Sequence, residues 1–277
     1  MKRLLPALLA LLLPFCASAR DYVTTPADSL LAVKVIQRLE RNRKLPTAEL
    51  VHQAANALMG QAYVGGTLNE GEGERLRIFL TRTDCIIFVE TCFALARTAR
   101  EGGDFGRFAD LVLEGRYRDG VVTRFEDRIH YTTENFRRAC RRGTLKDMSK
   151  ELGGEIFDHP VNYMSSHPGA YPLMTDVDAI RKVEAEINSE PSWYIPQDRL
   201  EECQKGIRSG DLICFTSTVP GLDIAHVAVA SVAADGTVGF IHASNGPAMK
   251  VIYNPTTLLE YVRNRKNVDG VMVFRPL

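Results

Sequence analysis

The stretch "CIIFVETCFALARTA", Cys85 to Ala99, carries apolar side chains around nearly its whole circumference. A helix without a polar face has to be enclosed by other elements, so this segment predicts a helix at the centre of the protein. Asp84 or Thr83 is placed to cap its N-terminus, which puts Cys85 in the first turn. At 277 residues and 45% hydrophobic content the chain can supply such an enclosure. No internal repeat, low-complexity tract or Pro/Gly-rich linker divides it, and a single elaborated domain over residues 20–277 is expected.

Around that helix the patterns change along the chain. Asp28 to about Arg43 and Thr47 to Met59 read as amphipathic packing helices, the second with Thr47 as N-cap and Gly60 as its stop. "YVGGTLNEGEGE" reads as a loop, and "RLRIFLT" as a short half-buried strand leading to Asp84. Residues 101–195 are less regular, with a polar helix near Asp176 to Ser189, and look like a large insertion that shapes a surface. In the last third, "GDLICFT", "AHVAVASV", "TVGFIHAS" and "GVMVFRP" are β-patterned runs separated by turns, as in an antiparallel sheet. The fold class expected is α+β.

Lys2 and Arg3 precede the apolar run Leu4 to Leu13, and Ala17-Ser18-Ala19 offers a small-x-small cleavage site, so residues 1–19 are expected to be a secretory signal peptide. Cys16 could otherwise anchor a lipid, but bulky Phe15 precedes it where such sites carry small residues. No later segment is long and apolar enough to span a bilayer, so an exported chain, periplasmic or extracellular, without stable membrane insertion is expected. Loss of Lys2 and Arg3 leaves 32 basic residues against 34 acidic ones, which gives no electrostatic grip on nucleic acid. Five cysteines remain: Cys85, Cys92, Cys140, Cys203 and Cys214. An odd number in an oxidising compartment requires at least one thiol free or paired between chains. Cys85 and Cys92 rise about 10.5 Å apart on one helix and cannot bridge each other.

A thiol in a helix's first turn meets free backbone N–H groups and the positive end of the dipole, both of which favour thiolate. Cys85 therefore reads as a candidate nucleophile, while Cys92, two turns inward, reads as a small core hydrophobe. His226 opens "HVAVASV" and His242 lies near the end of "TVGFIHAS", with "AADGT" between them. A two-residue turn at Asp235-Gly236 would put the histidines on opposite faces. A three-residue turn ending with Gly236 in the left-handed conformation pairs Ala228 with His242 and puts both on one face. Asp-Gly-Thr suits the second turn, which permits a relay of Cys85 as nucleophile, His226 as general base and His242 as orienter of the base.

"GQAYVGG", "DCIIFV", "GDLICF", "HVAVA" and "IHAS" occur in that order and resemble the signature blocks of the NlpC-type papain-like cell-wall peptidases. "DCIIFVE", "DRIHYTTENF", "YIPQDRL" and "GLDIAHV" are similar to an exported branch of that superfamily, N-acetylmuramoyl-L-alanine amidases, some acting on anhydro-muropeptides. The resemblance covers most of the chain from about Leu50. It implies a papain-like arrangement, with the cysteine helix on an antiparallel sheet, N-terminal helices and the 101–195 insertion. It gives Cys85, His226 and His242 the same roles and Tyr63 a place at the oxyanion. Asp84 would face polar substrate groups, although helix capping accounts for it as well. Arg128, His130, Tyr131, Ser166 and His167 offer donors and a flat ring for sugar and lactyl groups. Each can also be structural, Arg128 by pairing with Asp127 or Glu126. His52 and His159 read as surface residues. The sequence departs from the pattern at Ile86 and Ile87, where relatives carry small or hydroxylated residues.

The activity so implied is cysteine-dependent hydrolysis of the amide between N-acetylmuramic acid and L-alanine in peptidoglycan fragments, by a monomer without metal or cofactor. Three alternatives stay open at this point: a γ-D-glutamyl-diaminopimelate endopeptidase, a non-catalytic glycan-binding protein, and a zinc site built from Cys85, His226 and His242.

Overall fold

A computed structural model describes residues 21–277; the expected signal peptide and Cys16 lie outside the described residues. The helices are α1 Pro26–Glu40, α2 Thr47–Ala57, α3 Cys85–Glu101, α4 Phe105–Arg116, α5 Thr132–Arg141, α6 Tyr163–Ser166, α7 Val177–Asn188, α8 Leu200–Cys203 and α9 Leu258–Arg263. The strands are β1 Tyr22–Val23, β2 Ala62–Tyr63, β3 Leu76–Arg77, β4 Arg82–Thr83, β5 Leu145–Asp147, β6 Glu155–Phe157, β7 Ser192–Pro196, β8 Leu212–Ser217, β9 Ile224–Val232, β10 Val238–Ser244, β11 Lys250–Tyr253 and β12 Val268–Pro276.

The main sheet runs β4-β2-β11-β10-β9-β8-β12-β7-β6, with β5 also paired to β12. It is mixed rather than purely antiparallel, because β2 and β4 pair in parallel. The β9–β10–β11 and β8–β12 ladders are antiparallel. One face of the sheet carries Val227, Val229, Ile241 and Cys214 into a core shared with α1, α2 and α3. The other carries Phe215, Ala228, Ala230 and Phe240 against Leu258 and Val262 of α9. Period-two alternation in a doubly covered sheet is what divides these residues.

α3 is enclosed as its composition requires: Phe88, Val89, Cys92, Leu95, Ala96 and Ala99 are buried. Asp84 is its N-cap and accepts from the Ile87 N–H at 2.9 Å. Gly102, at φ +71, ends it. Gly210 of the "GDLICF" block lies so close to α2 that a Cβ there would stand 1.8 Å from the Ala48 carbonyl oxygen. The neighbouring Asp211 is buried and binds the Arg275 guanidinium through both oxygens at 2.8 and 2.7 Å. That block is therefore built for packing.

Several boundaries differ from the sequence expectation. α1 starts at Pro26, because the Thr25 side chain caps it. Thr47 lies inside α2 after Pro46, and its hydroxyl donates to the Leu277 carbonyl at 2.6 Å. "RLRIFLT" forms only the two-residue β3 and is buried from Leu76 to Leu80, sealed beneath other elements on both sides. The 101–195 stretch is more regular than its sequence suggests. α4 and α5 place Phe108, Ala109, Leu111, Val112, Phe136 and Ala139 in the main core. A separate cluster of Phe125, Tyr131, Val161, Met164, Ile180 and Ile187 holds the part that follows. α7, by contrast, follows the expected span, with Asp176 as its N-cap.

Candidate active site

The hairpin supplies the first part of the site. Val238 pairs with Val232 and Ile241 with Val229, a register that sets His242 opposite Ala228. The Ala233 N–H donates to the Thr237 carbonyl at 2.9 Å and Gly236 sits at φ +88, so the turn is the three-residue kind. His226 and His242 consequently share a face. Their rings meet edge to face with Nε2 of His226 2.7 Å from Nδ1 of His242. Phe215, Phe240 and Tyr261 wall the pair in.

Burial, and after it the Arg265 charge, favours the neutral form of both rings. His226 is pushed down to about 3, chiefly by burial and then by His242 and Arg265. His242 is pushed down to about 4, by burial and then Arg265. A neutral imidazole at neutral pH is the state a general base needs.

Cys85 supplies the second part. It opens α3 and is partly exposed, whereas Cys92 is sealed at 0%. The Cys85 sulfur lies within electrostatic range of the Val227 backbone N–H, one residue from His226, and of the Tyr63 and Tyr261 hydroxyls. No hydrogen bond joins it to either imidazole among the described residues; the His226 ring bond runs to His242. Burial, then the Asp84 carboxylate, pushes the thiol up to about 12. Desolvation and the neighbouring acid work against the backbone N–H groups and the dipole that favour thiolate at this helix start.

Tyr63 pairs with Thr83 across β2 and β4, which brings it beside Asp84 and Cys85. Burial first, then Cys85 and Asp84, raises its phenol above the usual value. Asp84 performs the capping role directly. Its carboxyl is raised by burial, against a lowering from Arg116. Arg116 is buried and pairs at 3.1 Å with Glu90 of α3. Sequence reasoning passed over this pair, although a lone acid in an otherwise apolar helix was the signal for a buried cation.

The remaining expected site residues are dispersed. Arg128 is buried and pairs with Glu74 at 2.8 Å and with Asn69 at 3.0 Å, in place of the Asp127 or Glu126 partner expected from sequence. His130 holds the Phe125 carbonyl at 2.8 Å, and burial pushes it down to about 3. The Tyr131 hydroxyl donates to Glu184 at 2.7 Å and accepts from the Met164 N–H at 2.9 Å. Ser166 and His167 stand at the end of α6, with the His167 ring stacked on Tyr163 and exposed. α6 abuts the approach to His226, because Asn162 and Tyr163 N–H groups both donate to the Gly221 carbonyl. Just beyond it, buried Asp223 accepts from the Thr133 N–H at the start of α5, at 2.8 Å. His52, expected on the surface, is half-buried and bonds Ser231 at 2.9 Å. His159 is 3.6 Å from Asp269 with its side chain 42% exposed.

All five described cysteines are free thiols. Among the described residues no group of three or more His, Cys, Asp or Glu side chains is arranged to hold a metal ion, and no helix is long and apolar enough to cross a membrane.

Residues 53–271 match the family AmiA-like, N-acetylmuramoyl-L-alanine amidase-like. The chain belongs to the AmiA-like family. An N-acetylmuramoyl-L-alanine amidase from Bacteroides uniformis is similar to this AmiA-like chain at 27% identity and TM-score 0.77, over 83% of this chain and 99% of that one. A Bacteroides fragilis protein put forward as a xylanase is similar at 30% identity and TM-score 0.74, over 80% and 98%. A Legionella pneumophila protein at 19% identity and TM-score 0.66, over 92% and 97%, shares the fold. No match was found among curated proteins.

Proposed function

We propose that this AmiA-like chain is an exported cysteine hydrolase that cleaves the amide between N-acetylmuramic acid and L-alanine in peptidoglycan fragments, anhydro-muropeptides among them. The observation that carries the proposal is the bonded pair of imidazoles on one face of the hairpin, with Cys85 within electrostatic reach of the Val227 backbone N–H, one residue from His226. With a protonated thiol and a neutral base, proton transfer accompanies attack. Cys85 gives its proton to Nδ1 of His226 as sulfur adds to the lactyl carbonyl, and Tyr63 donates to the oxyanion. The C–N bond then breaks as His226 returns the proton to the L-alanine amine. Water, deprotonated by His226, hydrolyses the thioester and regenerates the thiol.

The family likeness and the amidase from Bacteroides uniformis support the muramoyl amide as the bond cut. Glycoside cleavage would call for two carboxyl groups flanking the bond. The acids near Cys85 are instead a helix cap and a buried ion-paired glutamate.

The test is digestion of defined muropeptides by wild-type and Cys85→Ala protein, read by mass spectrometry. An intact sugar fragment and a stem peptide beginning with L-Ala support the amidase. A cut between γ-D-Glu and diaminopimelate would reassign the bond, and no product from either protein would leave a glycan binder. Full activity in chelator would exclude the zinc alternative.

A further inference from the structure

We propose that Asn254 is a positioning residue that sets the tautomer of both imidazoles, keeping the His226 proton on Nε2 and leaving Nδ1 free to accept from the thiol. The inference rests on the cysteine-hydrolase reading above.

His242 pairs with Ile252 across β10 and β11, so Asn254, two residues on, lies diagonally on the same face. Its own N–H donates to the Phe240 carbonyl at 2.9 Å, which extends the ladder and fixes the backbone there. The Asn254 Nδ2 group donates to the Thr256 carbonyl at 2.9 Å and to the Thr256 hydroxyl at 2.8 Å. Both amide hydrogens are thereby engaged, and Oδ1 is the side-chain atom left to offer. His242 is 3% exposed, and its Nε2 is buried without a hydrogen-bond partner. The Asn254 side chain stands alongside it, short of hydrogen-bond geometry, and favours a protonated ring.

The proton must sit on one of the two His242 nitrogens. On Nδ1, it would be donated to His226, and the Nε2 lone pair would face the amide oxygen, lone pair against lone pair. On Nε2, the N–H is a donor that the amide oxygen can accept. A buried polar atom left unmatched is costly, so the amide oxygen selects the second arrangement. Nδ1 of His242 then accepts from Nε2–H of His226, and Nδ1 of His226 carries the lone pair that a base requires. Without the amide oxygen the two tautomers come close in energy, and His226 spends part of its time unable to take the thiol proton.

Histidine 15N NMR of the Cys85→Ala protein at neutral pH reads this directly and does not depend on turnover. The expected spectrum has His242 protonated on Nε2 and His226 protonated on Nε2; a proton on Nδ1 of His242 overturns the inference. Asn254→Leu keeps the volume and removes the acceptor, and should lower kcat about 10- to 100-fold at unchanged KM while mixing the tautomers. Asn254→Asp keeps the acceptor but loses the bond to the Thr256 carbonyl, so it is read by its tautomer, which should stay wild-type. A folded Leu variant with wild-type kcat also overturns the inference, and if that variant does not fold, the Cys85→Ala spectrum decides alone. Should the chain cleave no muropeptide, the amidase reading fails while the spectrum still reports on Asn254. An active enzyme with the opposite tautomer discards Asn254's role and leaves the hydrolase standing.

Discussion

In the β9–β10 hairpin two imidazoles bond to each other, which leaves Nδ1 of His226 for chemistry. In the 101–195 stretch Arg128, His130 and Tyr131 are each tied to a partner inside the protein. Both regions bury histidine, and in both burial pushes the ring down to about 3. The difference lies in what the polar atoms are spent on. A side chain whose donors are all used internally holds loops in place, and Arg128 does so for the Glu74 loop that follows Tyr63. His226, bonded through Nε2 to His242, keeps Nδ1 for a nucleophile, whereas the His130 ring is bonded to the Phe125 carbonyl and packed on the Phe125 ring.

The largest expected effect sharpens this contrast at the hairpin. Cys85→Ala should reduce muropeptide turnover by about 10⁴-fold or more with the fold intact, and His226→Asn should come close to it, since members of such a relay fail together. Steady-state kinetics with thermal melts separates loss of chemistry from loss of fold. Arg128→Met should do the reverse. It strands the buried Glu74 carboxylate and should cost about 3–5 kcal/mol of stability, measured by urea unfolding. A stable Arg128→Met protein with raised KM would instead put Arg128 back among the substrate contacts.

Tyr63→Phe is expected to lower kcat about 10²-fold at little cost in stability, as for removal of an oxyanion donor. Tyr131→Phe removes a buried donor to Glu184 and should cost about 1–3 kcal/mol, with KM unchanged.

A further effect is in pH. A histidine held below its ordinary 6.5 binds fewer protons folded than unfolded. The stability it contributes is complete above 6.5 and is lost as pH falls toward 3–4, by up to about 1.4 kcal/mol per unit for each ring. Asp84, Glu90, Asp147 and Asp223, raised by burial, oppose this trend at the acid end. Replacing His130 or His226 by Asn should flatten the fall in melting temperature between pH 7 and 5 to a similar degree. Only the His226 change should also alter the pH–rate profile, whose acid limb is expected well below 6. Cys85 alkylation by iodoacetamide should be slow at neutral pH and rise toward alkaline pH, because the thiol is held up near 12. Slow labelling therefore does not separate an enzyme from a glycan binder, whereas product analysis does.

The residues that sequence alone exposed are those governed by local periodicity. Apolar side chains all around 85–99 required a central helix, and period-two alternation with Asp-Gly-Thr at the turn put His226 and His242 on one face. Asp84 as N-cap follows from its position before that helix. α4 and α5 were obscured because their core residues are interleaved with arginines that pair across the surface, such as Arg138 with Asp119 and Arg142 with Glu114. The three-residue strands β5 and β6 are too short to show a period. Only the folded chain decided which charges meet: Arg116 with Glu90, 26 residues apart, and Arg128 with Glu74, 54 apart. It also decided the state of the thiol, since desolvation depends on every element packed around Cys85, while the helix-start signal depends on the few residues beside it.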